Sequence, residues 1–376
     1  MDKIMEQNKQ WIDETWDKLL TKLRKTSVTC KTKLPLYAID GVYDDHSQKG
    51  ISAWTNGFWP GIMWLMYAGT KEDCFKEAAE IGEENLDRAL KNFNCLHHDV
   101  GFMWHISAGA NYKLTGNEVS KNRNLHAAAA LAVRYNVEGQ FIKAWNEEGF
   151  EGYVIIDSMM NIPQMYWAAE QTNNIAYKQM AMHHADTCLK NHIRDDGSVY
   201  HILNYNPETG ECLGPAKHTQ GYEPHHSSWS RGQAWAIYGY ALSYIHTGEQ
   251  RYLDAAKKVA HYFISAVIDD DYMPRADFRA PEEPLFWDAS AGAIAACGLI
   301  EIAKAAPDFE KKMYISAAMR ILKAVERHCD WTDENESIVQ DSSGSYNINV
   351  HMSYIFGDYY FVEALYKLKG FEPLFW

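Results

Sequence analysis

Basic residues are scarce in this 376-residue chain: 36 Lys and Arg stand against 50 Asp and Glu, a formal charge of −14. That balance leaves no footprint for a phosphate backbone, so nucleic-acid binding is set aside, and it suits an anionic membrane no better. CxxC spacing is missing too. The seven cysteines, at 30, 74, 95, 188, 212, 297 and 329, suggest neither a zinc ribbon nor a disulfide framework. They read as reduced thiols in a reducing compartment. GxSxG, P-loop, GxGxxG and EF-hand patterns are absent, which removes support for serine-hydrolase and nucleotide readings. Nor is there a long hydrophobic run. Ile51 to Thr70 is uncharged, but Ser52, Thr55, Asn56, Gly57, Pro60 and Gly61 dilute it below what a spanning helix needs. The N-terminus has no apolar segment behind a basic start, so no signal peptide is expected. These absences predict a soluble, cytoplasmic protein without membrane contacts.

Aromatics, by contrast, are abundant: 13 Trp, 23 Tyr and 14 Phe. Flat indole faces suit sugar rings as well as cores. The dominant periodicity is helical. Ile4, Trp11, Ile12, Trp16, Leu19, Leu20 and Leu23 share one face. Similar patterns cover 75–93, 124–134, 158–171, 176–192, 231–246, 251–267, 290–305, 311–329 and 358–369. Strand-like patches are short, as at 199–205. No linker divides the chain, so residues 1–376 read as one domain.

A loose repeat organises these helices. An apolar helix end, a Thr-Gly-like turn and a new amphipathic helix recur as YAGT at Thr70, YKLTG at Thr115, AEQTN at Thr172 and YIHTG at Thr247. A fifth copy, AKAAPD around Pro307, has lost the Thr-Gly. Helical hairpins with variable return loops stack into a solenoid or close into a toroid. About a dozen helices fit an all-α ring of six hairpins, with the long loops gathered at one mouth where function usually sits.

The candidate chemistry lies between the repeats. In Trp54-Thr-Asn-Gly-Phe-Trp59-Pro60-Gly61, Trp54 belongs on the rim, while Trp59 and Trp64 pack inside. His97-His98-Asp99 invites a metal reading, but neighbouring residues point apart on a strand or helix, and no metal is expected. Asp99 is either a hydrogen-bonding group for a polar ligand or a helix cap. Asp157 follows Val154-Ile155-Ile156 and precedes an apolar helix. Such a poorly hydrated carboxyl favours its neutral form, as a general acid must, although an ordinary N-cap is the rival reading. His218-Thr-Gln220-Gly221 and Ser228-Trp229-Ser-Arg231-Gly-Gln-Ala-Trp235 supply a stacking face, a cation and amides, a set that recognises a carboxylate on a sugar-like ring. Arg231 can grip a carboxylate bidentately, and its unfavourable place at a helix start supports a functional reason for it. His201 and Trp145 are weaker candidates.

WTNGFWPG, HHDVGF, the Asp157–Pro163 run, HTQG and SWSRGQAW, in this order, resemble the unsaturated glucuronyl hydrolases of glycoside hydrolase family 88. The likeness runs from Trp54 to Tyr360 and includes WDASAGAIAACGL and GDYYFVEAL. It implies an (α/α)6 barrel that releases a 4,5-unsaturated uronic acid from the non-reducing end of lyase-generated oligosaccharides, with no metal or organic cofactor. It implies Asp157 as general acid/base, and Asp99 as the second essential carboxylate, on the sugar hydroxyls. Trp54, His98, Trp145, His201, Gln220, Trp229 and Arg231 would line the sugar site. The family's substrate-contacting Tyr before GDYY has no clear counterpart, and Tyr354 is not matched to it. The loop Asp341–Tyr346 lacks the basic residue of members that prefer sulfated substrates. The alternatives are an unsaturated rhamnogalacturonyl hydrolase acting on pectin fragments, a sugar epimerase on the same toroid, which would need paired histidines, and a non-catalytic carbohydrate-binding toroid.

Overall fold

A computed structural model describes residues 2–376. Twelve α-helices carry the fold: α1 (Asp2–Thr29), α2 (Phe58–Thr70), α3 (Asp73–Leu90), α4 (Ala108–Thr115), α5 (Glu118–Ala132) and α6 (Pro163–Thr172), then α7 (Ile175–Asn191), α8 (Ser230–Thr247), α9 (Gln250–Val267), α10 (Ala289–Ala305), α11 (Asp308–Glu326) and α12 (Ile355–Leu368). Five hairpins follow in order, α2–α3 to α10–α11, and α12 packs on α1 as the sixth. Because α12 also packs on α2, the ring closes into an (α/α)6 barrel.

The Thr turns mark the helix junctions as the repeat implied. Thr70, Thr115, Thr172 and Thr247 each end a helix, and each hydroxyl donates to the carbonyl four residues back, at 2.6–2.8 Å. The next residue, Lys71, Gly116, Asn173 or Gly248, is left-handed, which stops the helix and reverses the chain within two or three residues. At the degenerate fifth copy Ala306 is extended and Pro307 starts the turn instead.

Burial separates two rings. Every residue of α12, and every residue of α8 from Ser230 to Ser243, is buried, because an inner helix is covered on one side by the barrel axis and on the other by its outer partner. The outer α9 buries only one face, with Tyr252, Leu253, Ala255, Ala256, Val259, Ala260, Phe263 and Val267 inside. Small residues let inner helices approach. A Cβ on Gly298 of α10 would lie 2.9 Å from the Tyr238 Cα in α8.

Since the hairpin turns are tight, the long connections all precede inner helices. A three-stranded antiparallel sheet, 153–155, 202–205 and 212–215, lies among them. Its register sets Ile155 opposite Ile202, and the Ile156 N–H donates to the His201 carbonyl at 3.0 Å. Two segments distant in sequence thereby bring Asp157 and His201 together. Among the described residues no helix is long and apolar enough to cross a membrane.

Candidate active site

A cavity of about 400 Å³ opens where the inner helices begin. Trp54, His98, Asp99, Trp145, Asp157, His201, Gln220, Trp229 and Arg231 all line it. The order of the motifs along the chain is the order of hairpins around the ring. Trp54 precedes α2, His98 and Asp99 precede α4, Asp157 precedes α6, and Trp229 and Arg231 open α8. Helix N-termini carry partial positive charge, so this mouth favours an anion on a chain whose net charge is −14.

Asp157 sits in the first turn of a short 3₁₀ segment, Ile156–Met160, capped by Ile155 and not by its own side chain. The N-cap alternative for it therefore fails. Its Oδ1 is buried without a hydrogen-bond partner. Burial, then the charge of neighbouring Asp99, hold its pKa well above the usual carboxylate range. Asp99 does not cap the following turn either. Its Oδ2 lies 3.2 Å from both His97 Nδ1 and His98 Nε2, and its Oδ1 accepts from Asn161 Nδ2 at 3.2 Å. Burial alone would raise the Asp99 pKa, but the charges and hydrogen bonds of His98 and His97 outweigh it and keep the group ionised. The two carboxyls are thus driven apart in protonation state, the arrangement that assigns an acid and its anionic neighbour.

The histidines correct the sequence argument. His97 and His98 sit in a turn, not a strand or helix, and both rings converge on one oxygen of Asp99. His97 also reaches the Ser52 carbonyl through Nε2 at 2.8 Å. Burial works against its charge, but the hydrogen bond and charge of Asp99 raise its pKa. Burial lowers that of His98, whose Nε2 meets Asp99 Oδ2 and whose Nδ1 lies 3.8 Å from Asp157 Oδ1. Among the described residues, His98, Asp99 and Asp157 are also the group that could offer a cation one ligand atom each, all within 4.8 Å of one another.

His201 accepts the Gln220 N–H on Nδ1 at 3.1 Å. Burial, then the Arg231 charge, push its pKa well below normal, so it presents a neutral ring with Nε2–H as donor. Gln220 is held by its backbone, while its side chain stays exposed at the cavity. Trp145 packs at the rim against Phe150 and Tyr153.

Two expectations about the α8 motif change. Trp229 is only 3% exposed, wedged between His201 (ring centroids 4.4 Å apart) and the Arg231 guanidinium (4.5 Å), so it forms a wall and not an open stacking face. The Arg231 guanidinium is already engaged. Its Nη1 donates to Asp288 Oδ2 at 2.7 Å and to the Ser343 carbonyl at 2.6 Å, and its Nη2 to the Gly344 carbonyl at 2.8 Å. Asp288 and these carbonyls offset the unfavourable helix-start position. Among the described residues, Nε has no protein acceptor, leaving the Nε–Nη2 edge for a ligand.

Sequence reasoning missed Phe356 and left Tyr354 unmatched, yet both line the cavity. Phe356 stacks between Trp54 (5.0 Å, 27°) and Tyr354 (5.0 Å, 13°) and packs under Arg231. Asp288 was also passed over. Its signal, an Asp opening the apolar run of α10, reads as a helix cap, which it is, accepting from the Ala291 N–H. Asp341 does not project a free charge from its loop, because His328 Nδ1 (2.7 Å) and His351 Nδ1 (3.1 Å) take up its two oxygens.

The sequence pattern of Glycosyl Hydrolase Family 88 matches residues 37–374. The chain is 36% identical over 334 residues to the unsaturated glucuronyl hydrolase of Bacillus sp. (strain GL1), covering 86% of this chain and 88% of that protein. It is 35% identical over 332 residues to the unsaturated chondroitin disaccharide hydrolase of Streptococcus pyogenes serotype M1, covering 85% and 82%. The crystal structure of unsaturated glucuronyl hydrolase from Streptococcus agalactiae superposes with a TM-score of 0.88 at 31% identity, over 97% of this chain and 93% of that one.

Proposed function

This chain belongs to glycosyl hydrolase family 88, and from that premise we propose that it removes a 4,5-unsaturated uronic acid from the non-reducing end of lyase-generated oligosaccharides. The observation that carries the proposal is the half-buried Asp157 carboxyl, its Oδ1 without a hydrogen-bond partner, beside an ionised Asp99. The activities of these relatives do not favour the rhamnogalacturonyl alternative, and membership of a hydrolase family argues against a mere binding toroid.

The substrate is a vinyl ether, which dictates the chemistry. The Asp157 carboxyl gives its proton to C4, and positive charge develops at C5 beside the ring oxygen. Asp99, anionic and close by, stabilises that charge and holds sugar hydroxyls. Water then adds at C5 and passes its proton to the Asp157 carboxylate, restoring the acid. The hemiketal opens by cleavage of the C5–O bond to a ketone, and the resulting hemiacetal at C1 expels the sugar formerly linked to it. This differs from ordinary glycosidases, whose two carboxylates act directly at the anomeric carbon. The uronate carboxylate is proposed to face the free edge of Arg231, with Trp54 and Trp145 against sugar faces and His98, His201, Gln220 and Trp229 completing the wall.

Turnover in heavy water tests the first step. The product is expected to carry deuterium at C4 from the earliest time points, beyond the exchange seen when finished product is moved into heavy water. A product without that deuterium refutes C4 protonation. A panel of lyase-generated disaccharides, followed by loss of the ultraviolet absorbance of the conjugated double bond, identifies the natural substrate.

Sulfated disaccharides are expected to be turned over more weakly than unsulfated ones. The reason is now narrower than the sequence suggested: both Asp341 oxygens are held by the rings of His328 and His351, but among the cavity-lining residues the only Lys or Arg is Arg231, itself buried and largely engaged. A clear preference for the sulfated series refutes this. We also propose that the whole of 1–376 is one catalytic domain, supported by an apolar cluster extending from Ile12 to Trp376. A cytoplasmic setting is proposed as well, supported by seven free cysteines.

A further inference from the structure

We propose that Asn161 is a positioning residue for this reaction, its side-chain amide fastening the Asp99 carboxylate to the turn that carries Asp157. The inference rests on the reading of Asp157 as the acid, and it concerns a residue that lies in the Asp157–Pro163 run but was given no role there. Asn161 is fully buried. Its Oδ1 accepts the Phe102 N–H at 2.9 Å, which fixes the orientation of the amide, since only the oxygen can accept there. Nδ2 therefore faces Asp99 Oδ1 at 3.2 Å and the Asp157 carbonyl at 3.3 Å. One side chain thus joins three points on the two loops that bear the carboxyls. The loops are built to meet here, because a Cβ on Gly101 would lie 2.7 Å from the Asn161 Cα.

Among the described residues, Asn161 is the only side chain that donates to Asp99 Oδ1. The other groups around the pair act elsewhere. His97 and His98 approach Oδ2 from the same turn, and Arg134, just past α5, donates to carbonyls. His98 also presents Nδ1 3.8 Å from Asp157 Oδ1, and the Arg231 charge favours the ionised form of Asp157, while Cys188 of α7 and Tyr360 of α12 feel the Asp157 charge. A donor to an ionised carboxylate favours its charged form, so loss of the amide makes Asp99 harder to ionise. A displaced Asp99 charge also supports the raised Asp157 pKa less, so the alkaline limb of the pH profile, where the acid loses its proton, moves to lower pH.

Asn161→Leu keeps the volume and removes the donor, and Asn161→Ala removes atoms without adding any. Both are assayed beside wild type and Asp157→Asn for kcat, KM, pH profile and melting temperature. The expected result is a fall in kcat on the order of 10²-fold, the usual consequence of misplacing a reacting group by about an ångström. KM rises as well, since Asp99 also holds sugar hydroxyls, and the alkaline limb of kcat shifts to lower pH. An unchanged kcat, or a fall with an unmoved alkaline limb, overturns the positioning role, because a purely structural defect does not alter the coupling of the two carboxyls. Should Asn161→Leu not fold, Asn161→Ala is read by the same criteria. Silent Asn161 variants beside an inactive Asp157→Asn defeat this inference alone, whereas an active Asp157→Asn defeats the reading beneath it.

Discussion

Asp157→Asn is expected to abolish most of kcat while the oligosaccharide still binds. The amide matches the carboxyl in shape and can still hydrogen-bond, but it has no proton to give C4. The defect therefore falls on the transition state and hardly on the ground state. Positioned acid–base groups are worth ~10²–10⁴-fold, and the loss should be at least of that order because a single group serves both proton transfers. Folding is not the issue. The native carboxyl spends no hydrogen bond from Oδ1, so replacing it breaks no contact there, and the amide only removes a group whose charged form is already disfavoured. Binding of a substrate disaccharide to the variant, measured by calorimetry alongside single-turnover rates, separates the two quantities. Turnover near the wild-type rate refutes the assignment.

Asp99→Asn is expected to be nearly as severe, by a different route that its pH profile reveals. Asp157 has its pKa raised by burial first and by the Asp99 charge second. Removing that charge lets the Asp157 pKa fall. A general acid works only while protonated, so activity is present below its pKa and lost above it. The alkaline limb of kcat should accordingly move to lower pH, with activity retained best on the acid side. At neutral pH the variant forfeits part of the ~10²–10⁴-fold that general acid catalysis supplies, and KM rises because hydroxyl contacts are lost as well. Asp157→Asn, by contrast, should show no such displaced limb, only a low rate. An Asp99→Asn profile with its alkaline limb unmoved contradicts the electrostatic coupling of the two carboxyls.

These contrasts also mark how far the sequence could be read. Helix periodicity and Thr-Gly-like turns are local properties, and each turn could be recognised from the residues that build it: at Thr115–Gly116 the hydroxyl bonds within its own helix and the glycine supplies its own left-handed backbone. Six hairpins, and hence the barrel, follow from counting such turns. The apolar approach to Asp157 was equally legible, because the three β-branched residues that desolvate it are its immediate neighbours. So was the separation of Trp54 from Trp59 and Trp64, since the latter two lie inside the helix that Trp54 precedes.

What lay beyond the sequence was each side chain's partner. Arg231 reads as a free cation for a ligand until Asp288, 57 positions away, is found to hold it. Asn161 reads as one more polar residue in a helix start until Phe102 and Asp99, about 60 positions earlier, converge on its amide. The two histidines read as diverging until their turn directs both rings to one carboxylate oxygen. Tyr354 and Phe356 join Trp54 only because the ring closes, placing α12 against α2. Local chemistry encoded the helices and their ends, because those depend on residues a few positions apart. Which groups are paired, and so which charges remain for the substrate, depends on distances that only the closed ring defines.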